Sequence, residues 1–576
     1  MLDLIIKGGE VVDGTGAARR RADVGVRDGR VVAIGAVDEA AARTIDAEGR
    51  VVAPGFVDVH THYDAQVFWD TTLSPSPLHG VTTVIGGNCG FTIAPLVPRE
   101  AEYLMKMLAR VEGMPLDALA AGVPWNWSST AEYFDSFDHT LSVNAGFMVG
   151  HCALRRVAMG ERSVGEAANE DDLTTMANLL RESLAAGGLG FSSSWAETHN
   201  DADGEPVPSR HATAEELFEL CRVTGEREGT SLEFIPTTRD FTEQHLNVMA
   251  RMSAAARRPL NWNLLTVNSM NGAFVEQRLA AGDVARALGA KVEALTIPEA
   301  PRPRMSFLSG FVLDALAGWA KPMSLPVAEK LALLADPARR RELEEQARGT
   351  QGLIRAIANW PRLVFLETFA PENIGYMGRS IGEVATERGQ SPFDALCAVA
   401  VADELRTVFS TPEFGNERAD WEARVAVWRD GRAVIGASDA GAHLDLLATF
   451  NYTTTTLARA VRDHEALPLE EAVHLLTDVP ARLYGLRDRG RITEGAFADL
   501  VVFDPATIGP GPVVTRNDLP TGAARVYGEA EGIDEVIVNG AVIVEHGSFT
   551  DARPGTLLRS GRDTETPVLS SPKPQC

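Results

Sequence analysis

The chain is poor in cysteine, short of positive charge and free of long apolar runs, and each shortage closes off a class of function. Its 5 cysteines (Cys89, Cys152, Cys221, Cys397 and Cys576) are odd in number and scattered, with no Cys-x-x-Cys pair. Such usage argues against structural disulfides and for a reducing, cytoplasmic setting. Lys and Arg number 54 against 79 Asp and Glu, a formal net charge of -25. Nucleic acid and anionic membrane surfaces are repelled by that charge, although a local pocket can still accept an anionic small molecule. No stretch approaches the ~18 unbroken apolar residues of a membrane span. The opening Met1-Leu2-Asp3-Leu4-Ile5-Ile6-Lys7 has an early acid and a short apolar run, unlike a signal peptide. The expectation is a soluble cytoplasmic protein acting on a small-molecule substrate, with no nucleic-acid or membrane partner. A homo-oligomer is compatible with the sequence, since no interface can be read from one chain.

What is present is enough for a large core: 576 residues, 45% of them hydrophobic, with room for more than one domain. Residues 1–54 read as short strands separated by Asp13-Gly14, Asp28-Gly29 and Glu48-Gly49. The same texture returns at 498–504 and 535–544. One small composite β-sandwich domain built from 1–54 and 486–550 accounts for both. Between them, strand-like runs at Gly55–His62, Val81–Asn88, Val143–His151, Gly188–Ser194, Ser231–Pro236, Leu260–Leu265, Lys291–Ile297 and Ala433–Asp439 alternate with helical stretches such as Ala214–Glu228 and Gln277–Leu288. Eight such units predict an α/β fold, a (β/α)8 TIM-like barrel over 55–485, with its site at the C-terminal strand ends. Segments at about 301–347 and 370–428 break the pattern and read as insertions shaping the mouth, or as surface decoration. The tail 551–576 is expected to be extended or poorly ordered, and no internal repeat is visible.

Three stretches carry chemistry. In Gly55-Phe56-Val57-Asp58-Val59-His60-Thr61-His62, two histidines at i and i+2 share a strand face, so both imidazoles project together as candidate metal ligands. The plain alternative is a polar strand end with two unrelated histidines. In Gly436-Ala437-Ser438-Asp439-Ala440-Gly441-Ala442-His443, a carboxylate ends an apolar strand, placed to bind a metal and to accept a proton from water. In Val84-Ile85-Gly86-Gly87-Asn88-Cys89-Gly90, a cysteine closes a strand between glycines, where a metal would hold it as thiolate.

With these in place, the chain resembles the amidohydrolase superfamily, and within it the N-acyl-D-amino-acid deacylases (D-aminoacylases). The resemblance spans roughly residues 1–550 and includes Ile5-Ile6-Lys7-Gly8-Gly9, Pro54 through His62, Gly80-Val81-Thr82-Thr83-Val84 through Asn88-Cys89-Gly90, Val149-Gly150-His151, Ser438-Asp439-Ala440, Pro480 through Leu486, and Asp488 through Asp504. It implies zinc at the barrel mouth and hydrolysis of an amide. His60 and His62 would be first-strand ligands, Cys89 a thiolate ligand, and Asp439 both ligand and catalytic acid/base. Members of that family carry histidines on the fifth and sixth strands and a substrate-binding lysine. Here those strands read Ser231-Leu232-Glu233-Phe234-Ile235-Pro236 and Leu260-Asn261-Trp262-Asn263-Leu264-Leu265. A single metal on His60, His62 and Asp439, with Cys89 as fourth donor, is the favoured expectation; a binuclear site using Glu233 is the second. Asn261 and Asn263, on one face, are expected to present amides to the substrate; His151 is a further candidate contact, with a satisfied structural histidine as the alternative, and His443 a candidate to orient Asp439 or touch substrate.

His199 and His211 flank the loop 200–210, and Arg155, Arg210, Arg239 and Arg379 are candidates for a substrate carboxylate. Trp195 and Tyr376 are candidates for an acyl pocket, with core packing as the alternative. The expected reaction is cleavage of a linear amide such as an N-acyl-D-amino acid. Cyclic-amide hydrolysis or deamination, and an inactive binding protein, are the alternatives. The fourth strand, Gly188 to Ser194, lacks the lysine that a cyclic-amide site would favour.

Overall fold

A computed structural model describes residues 1–569 except 301, 311, 351 and 352. Pro301, the expected start of the first insertion, and the end of the tail with Cys576 lie outside the described residues. The alternation seen in the terminal segments builds one mixed sheet of nine strands. Leu4 and Ile6, Val24 and Val26, and Leu500 and Val502 pair at i and i+2 and pack into one core on one face. From the other face Val51, Ala53, Val501 and Phe503 pack into a core shared with Phe56 and Val81 of the central domain. The two ends of the chain meet where Val51–Pro54 lies antiparallel to Leu500–Phe503, with Val52 opposite Val502. Asp499 and Arg489 form a buried ion pair beside this seam, and Asp499 also accepts from the Asn144 amide at 3.0 Å.

The central strands are β1 (Phe56–Asp58), β2 (Val81–Gly86), β3 (Asn144–Phe147, continued by Val149–Gly150), β4 (Gly190–Ser194), β5 (Ser231–Ile235), β6 (Leu260–Leu265), β7 (Val292–Thr296) and β8 (Ala433–Ile435). Consecutive strands pair in parallel throughout, as a three-stranded and a six-stranded sheet sharing the broken β3. Between β8 and β1 the contact is a parallel bridge, Thr61 to Ala440. There Asp439 N–H donates to His60 O at 3.1 Å and His62 N–H to Ala440 O at 2.7 Å. Gly436, with φ at +150°, is required at this approach: a Cβ on it would lie 2.7 Å from Val59 Cγ2.

Helices Glu170–Ala185, Ala214–Gly225, Glu243–Ala256 and Gly272–Ala287 follow β3 to β6 and bury Leu180, Leu217, Met249 and Leu279 against Phe191, Leu232, Leu260 and Val292. Their starts are chemically marked: Asn169 and Thr242 close capping boxes, and Thr213 accepts from Glu216 N–H.

The two expected insertions share one interior. Met305, Phe307, Trp319, Trp360, Phe365, Phe393 and Phe409 form a core of their own, with Val364–Glu367 paired antiparallel to Val408–Ser410. Helix Arg418–Asp430, expected inside the second insertion, instead returns to the strand array and buries Trp421 and Val425 there. The described part of the tail is extended but not loose: Gly555 N–H donates to Leu141 O at 2.8 Å and Leu558 N–H to Ala145 O at 2.8 Å. Leu557 and Leu558 are buried beside β3. Among the described residues, no helix is long and apolar enough to cross a membrane.

Candidate metal centre

His60 and His62 lie past the regular part of β1, on the bridge to Asp439, where the backbone is still extended enough to bring both rings to one side. Their ring centroids are 5.3 Å apart, and a ligand atom from each lies within 4.8 Å of Cys89 Sγ and of the other. Sγ stands 3.4 Å from His60 Nε2 and 3.9 Å from His62 Nε2. Asp439 Oδ1 is 3.1 Å from the first nitrogen and 3.6 Å from the second, with its side chain 22% exposed, so the carboxylate is the group of this set that reaches solvent. Cys89 is carried on the turn after β2, where Gly87 N–H donates to buried Asp64 at 2.9 Å. Cys89, Asp439 and His443 all have left-handed backbones, φ +58°, +51° and +48°. L residues adopt that conformation at a cost, and such strain concentrates where a side chain must be aimed.

Two imidazole nitrogens, a sulfur and a carboxylate oxygen converging in a buried site form a donor set suited to a zinc-type dication. Without such a cation the charges are ill at ease. Burial, together with the nearby carboxylates Glu233, Glu112 and Asp439, pushes the Cys89 thiol well above its usual range. Burial also opposes ionisation of Asp439, but hydrogen bonds and charge from His60 and His62 outweigh it and hold the carboxyl well below its ordinary value. Burial depresses His62 too, yet Glu112 and Asp439 carry it up to about 9. A bound dication would favour the thiolate and the neutral imidazoles.

Glu233, reached from β5, is wholly buried. Its Oε2 accepts from Cys89 N–H at 2.8 Å, and Oε1 has no hydrogen-bond partner among the described residues. Burial is the main reason its carboxyl rises to about 8. Asn263 Nδ2 stands 3.2 Å from His60 Nε2, at the site. Asn261, which shares its face, is committed elsewhere: its amide donates to Leu232 O at 3.2 Å and to Tyr484 Oη at 3.1 Å. His151, also expected at the substrate, opens the helix after β3 with both nitrogens taken, Nδ1 by Ser193 at 2.8 Å and Nε2 by Glu216 at 2.9 Å. His443 N–H donates to Glu112 O at 2.5 Å, which keeps the loop after Asp439 beside the site.

His199 does come near. Its Nδ1 is 2.8 Å from Ser194 Oγ and its ring packs on Phe91 at 4.9 Å. Burial first, then His443 and His62, press its pKa to about 3, so it is neutral. His211 bonds Pro206 O, Arg155 pairs with Glu216, Arg210 with Asn200, and Arg379 with Glu387, while Arg239 is 80% exposed. Trp195 packs on Phe234, and Tyr376 on Phe365 of the inserted unit. One group was not legible in the sequence at all. Glu112, from the excursion between β2 and β3, places Oε1 3.3 Å from His62 Nδ1. A lone acid after an amphipathic helix carries no signal that would single it out.

A model described as the amidohydrolase family matches residues 43–544. The chain is 30% identical over 562 residues to D-aminoacylase of Alcaligenes xylosoxydans xylosoxydans, covering 96% of this chain and 97% of that one. A solved D-aminoacylase, described by its binuclear metal centre with one-metal activation and second-metal attenuation, superposes with TM-score 0.64 at 28% identity, over 97% of this chain and 100% of the other. N-acyl-D-glutamate deacylase from Bordetella bronchiseptica, complexed with zinc and a phosphonate mimic of the tetrahedral intermediate, superposes with TM-score 0.62 at 25% identity, over 97% and 99%.

Proposed function

The chain belongs to the amidohydrolase family, and on that premise we propose that it hydrolyses the linear amide of an N-acyl-D-amino acid or a related N-acyl compound. The proposal includes a (β/α)8 barrel carrying one zinc ion on His60, His62 and Asp439, with Cys89 as fourth donor. The observation that carries it is the convergence of both Nε2 atoms on Asp439 Oδ1 and Cys89 Sγ, within 3.1–3.9 Å. Near full-length likeness to deacylases of N-acyl-D-amino acids supports the substrate class.

When bound, zinc supplies Lewis acidity toward a carbonyl oxygen and toward water. The chain's own residues do the rest. Asp439, ionised and partly open to solvent, takes the proton of the attacking water and hands it to the departing amine nitrogen. Its strained backbone and the ring of His60 fix the carboxylate for both transfers. Asn263, beside His60, presents its amide to the bound acyl group. Glu233 accepts from the Cys89 backbone N–H through Oε2 and so fixes the turn that carries the thiol.

The test is metal content per chain, measured together with acetate release from paired N-acetyl-D- and N-acetyl-L-amino acids. One zinc per chain and D-selective release is the expected result. Zinc-loaded protein that releases nothing across the panel overturns the reaction, and two ions per chain overturn the single-metal site.

A further inference from the structure

A cavity of about 360 Å³ opens between the loop after β7, the segment leading into helix Arg418–Asp430, the inserted unit and the chain that follows Asp439. Sites for small molecules run from roughly 300 to 1,000 Å³. His60, His62, Cys89 and Asp439 are all absent from its walls. Thr449, on the wall, donates through Oγ1 to Ser438 O, so the cavity backs onto the segment that carries Asp439.

Glu299 and Arg302 both line this cavity, and among the described residues neither is in an ion pair, with the other or with a third group. Arg302 is anchored by Nε to Thr411 O at 3.3 Å, which leaves its terminal nitrogens without a hydrogen-bond partner among the described residues. Glu299 accepts no hydrogen bond there either. Burial lifts its carboxyl to about 7; the charge of Arg424 opposes the rise and that of Glu413 adds to it. Arg304, also on the wall, is answered by Glu367. Arg424, 1% exposed, lies behind Gly415, to whose carbonyl it donates. Glu413 holds the Asn416 amide at 3.1 Å. With Arg304 set against Glu367, the remaining charges are Arg302 and Arg424 against Glu299 and Glu413, and they balance.

A ligand of net charge would disturb that balance, and an unmatched charge in a recess is costly. A ligand carrying both signs would keep it. A carboxylate suits the free edge of the Arg302 guanidinium, which offers it paired N–H donors, and an ammonium group suits Glu299. Leu366 and Val513 supply apolar wall beside them. We propose that this cavity binds a free α-amino acid with an aliphatic side chain, its carboxylate on Arg302 and its ammonium group on Glu299. Binding there does not depend on the hydrolase reading, although an amino acid is what that reaction releases.

The test is equilibrium dialysis of radiolabelled D- and L-leucine against zinc-loaded full-length protein, alongside Arg302→Met, Glu299→Gln and the metal-site variant His60→Ala. At least one enantiomer should bind with Kd below about 1 mM. Arg302→Met and Glu299→Gln should each weaken it at least about 10-fold, the scale of a lost hydrogen bond to a charged group. His60→Ala should leave it unchanged. Isocaproate, which lacks the ammonium group, and isopentylamine, which lacks the carboxylate, should fail to displace the label. If Glu299→Gln does not fold, Arg302→Met, at a partly exposed position, decides. Weaker binding by wild type, a smaller change in folded Arg302→Met, or displacement by either analogue as readily as by leucine overturns the proposal. So does loss of binding in folded His60→Ala, which would place leucine at the metal centre. Absence of amide hydrolysis counts against the earlier reading and leaves this one standing.

Discussion

The two sides of the site differ in what their side chains are bonded to. From β1, β2 and β8 come His60, His62, Cys89 and Asp439, whose donor atoms point at one another across 3.1–3.9 Å. From β5 and β6 come Glu233, Asn261 and Asn263, two of which have settled on protein partners: a backbone N–H for Glu233, and a carbonyl and a phenol for Asn261. β5 and β6 pair in parallel with Glu233 opposite Asn261, whereas Cys89 and Asp439 are carried on left-handed backbone past their strands. The first half is set apart by donor atoms that converge on one another. In the second half Glu233 Oε2 and the Asn261 amide are engaged by the protein, while Glu233 Oε1 and the side-chain oxygens of Asn261 and Asn263 have no hydrogen-bond partner among the described residues.

The largest expected effect is on the first half. Asp439→Asn keeps the shape but removes the proton acceptor, and kcat/KM in excess zinc should fall ~10³-fold; a loss below tenfold would move the acid/base role to the other half. Next comes a change outside both halves that separates acid lability of the scaffold from that of the site. His79 is buried, with Nδ1 2.8 Å from Thr454 Oγ1, and burial presses its pKa from 6.5 to about 4. Above pH 6.5 both folded and unfolded chains are neutral there. As pH falls from 6.5 toward 4 the unfolded chain takes a proton that the native one refuses, so stability drops by about 3 kcal/mol and then levels off. Urea midpoints at pH 7.5, 5.5 and 4.5 should show a shallower fall in His79→Gln, with zinc content unchanged.

On the second half, Asn261→Ala strands the Leu232 carbonyl and the Tyr484 hydroxyl in the interior. It should cost about 1–3 kcal/mol of stability by urea titration without altering zinc per chain. The smallest effect is expected from Glu233→Gln, which imitates a carboxyl already neutral near pH 7. Its zinc affinity should change by less than the ~10-fold that losing an outer partner brings. A larger fall would make Glu233 a ligand and erase the contrast.

Much of this was legible beforehand because strands announce themselves locally. The eight central runs, His60 with His62, and Asp439 at the end of an apolar stretch follow from short-range pattern, and the structure brings the three together. The assignments that moved are those set by distant partners. His151 and Asn261 share the texture of site residues, yet Glu216 and Tyr484, far away in sequence, claim them. The two insertions read as separate because their common core, Phe307 with Phe409, joins residues a hundred positions apart. The tail looked loose by composition, and only the groove beside β3 gives Leu557 and Leu558 somewhere to go. Glu112 has no local signature; its meaning lies entirely in where the helix before it is packed.

The antiparallel seam between Val51–Pro54 and Leu500–Phe503 bears on how the molecule is made. A nascent chain presents the first edge early and must wait for its partner while the whole central domain is translated. At typical elongation rates that delay is roughly 20–90 s. During it a Val-rich strand edge stands unpaired, open to mispairing with another chain on the same polysome. Expression should therefore respond to elongation speed and chaperone supply more than to the stability of the finished protein, and C-terminal truncations that remove Leu500–Phe503 should aggregate rather than leave a soluble core.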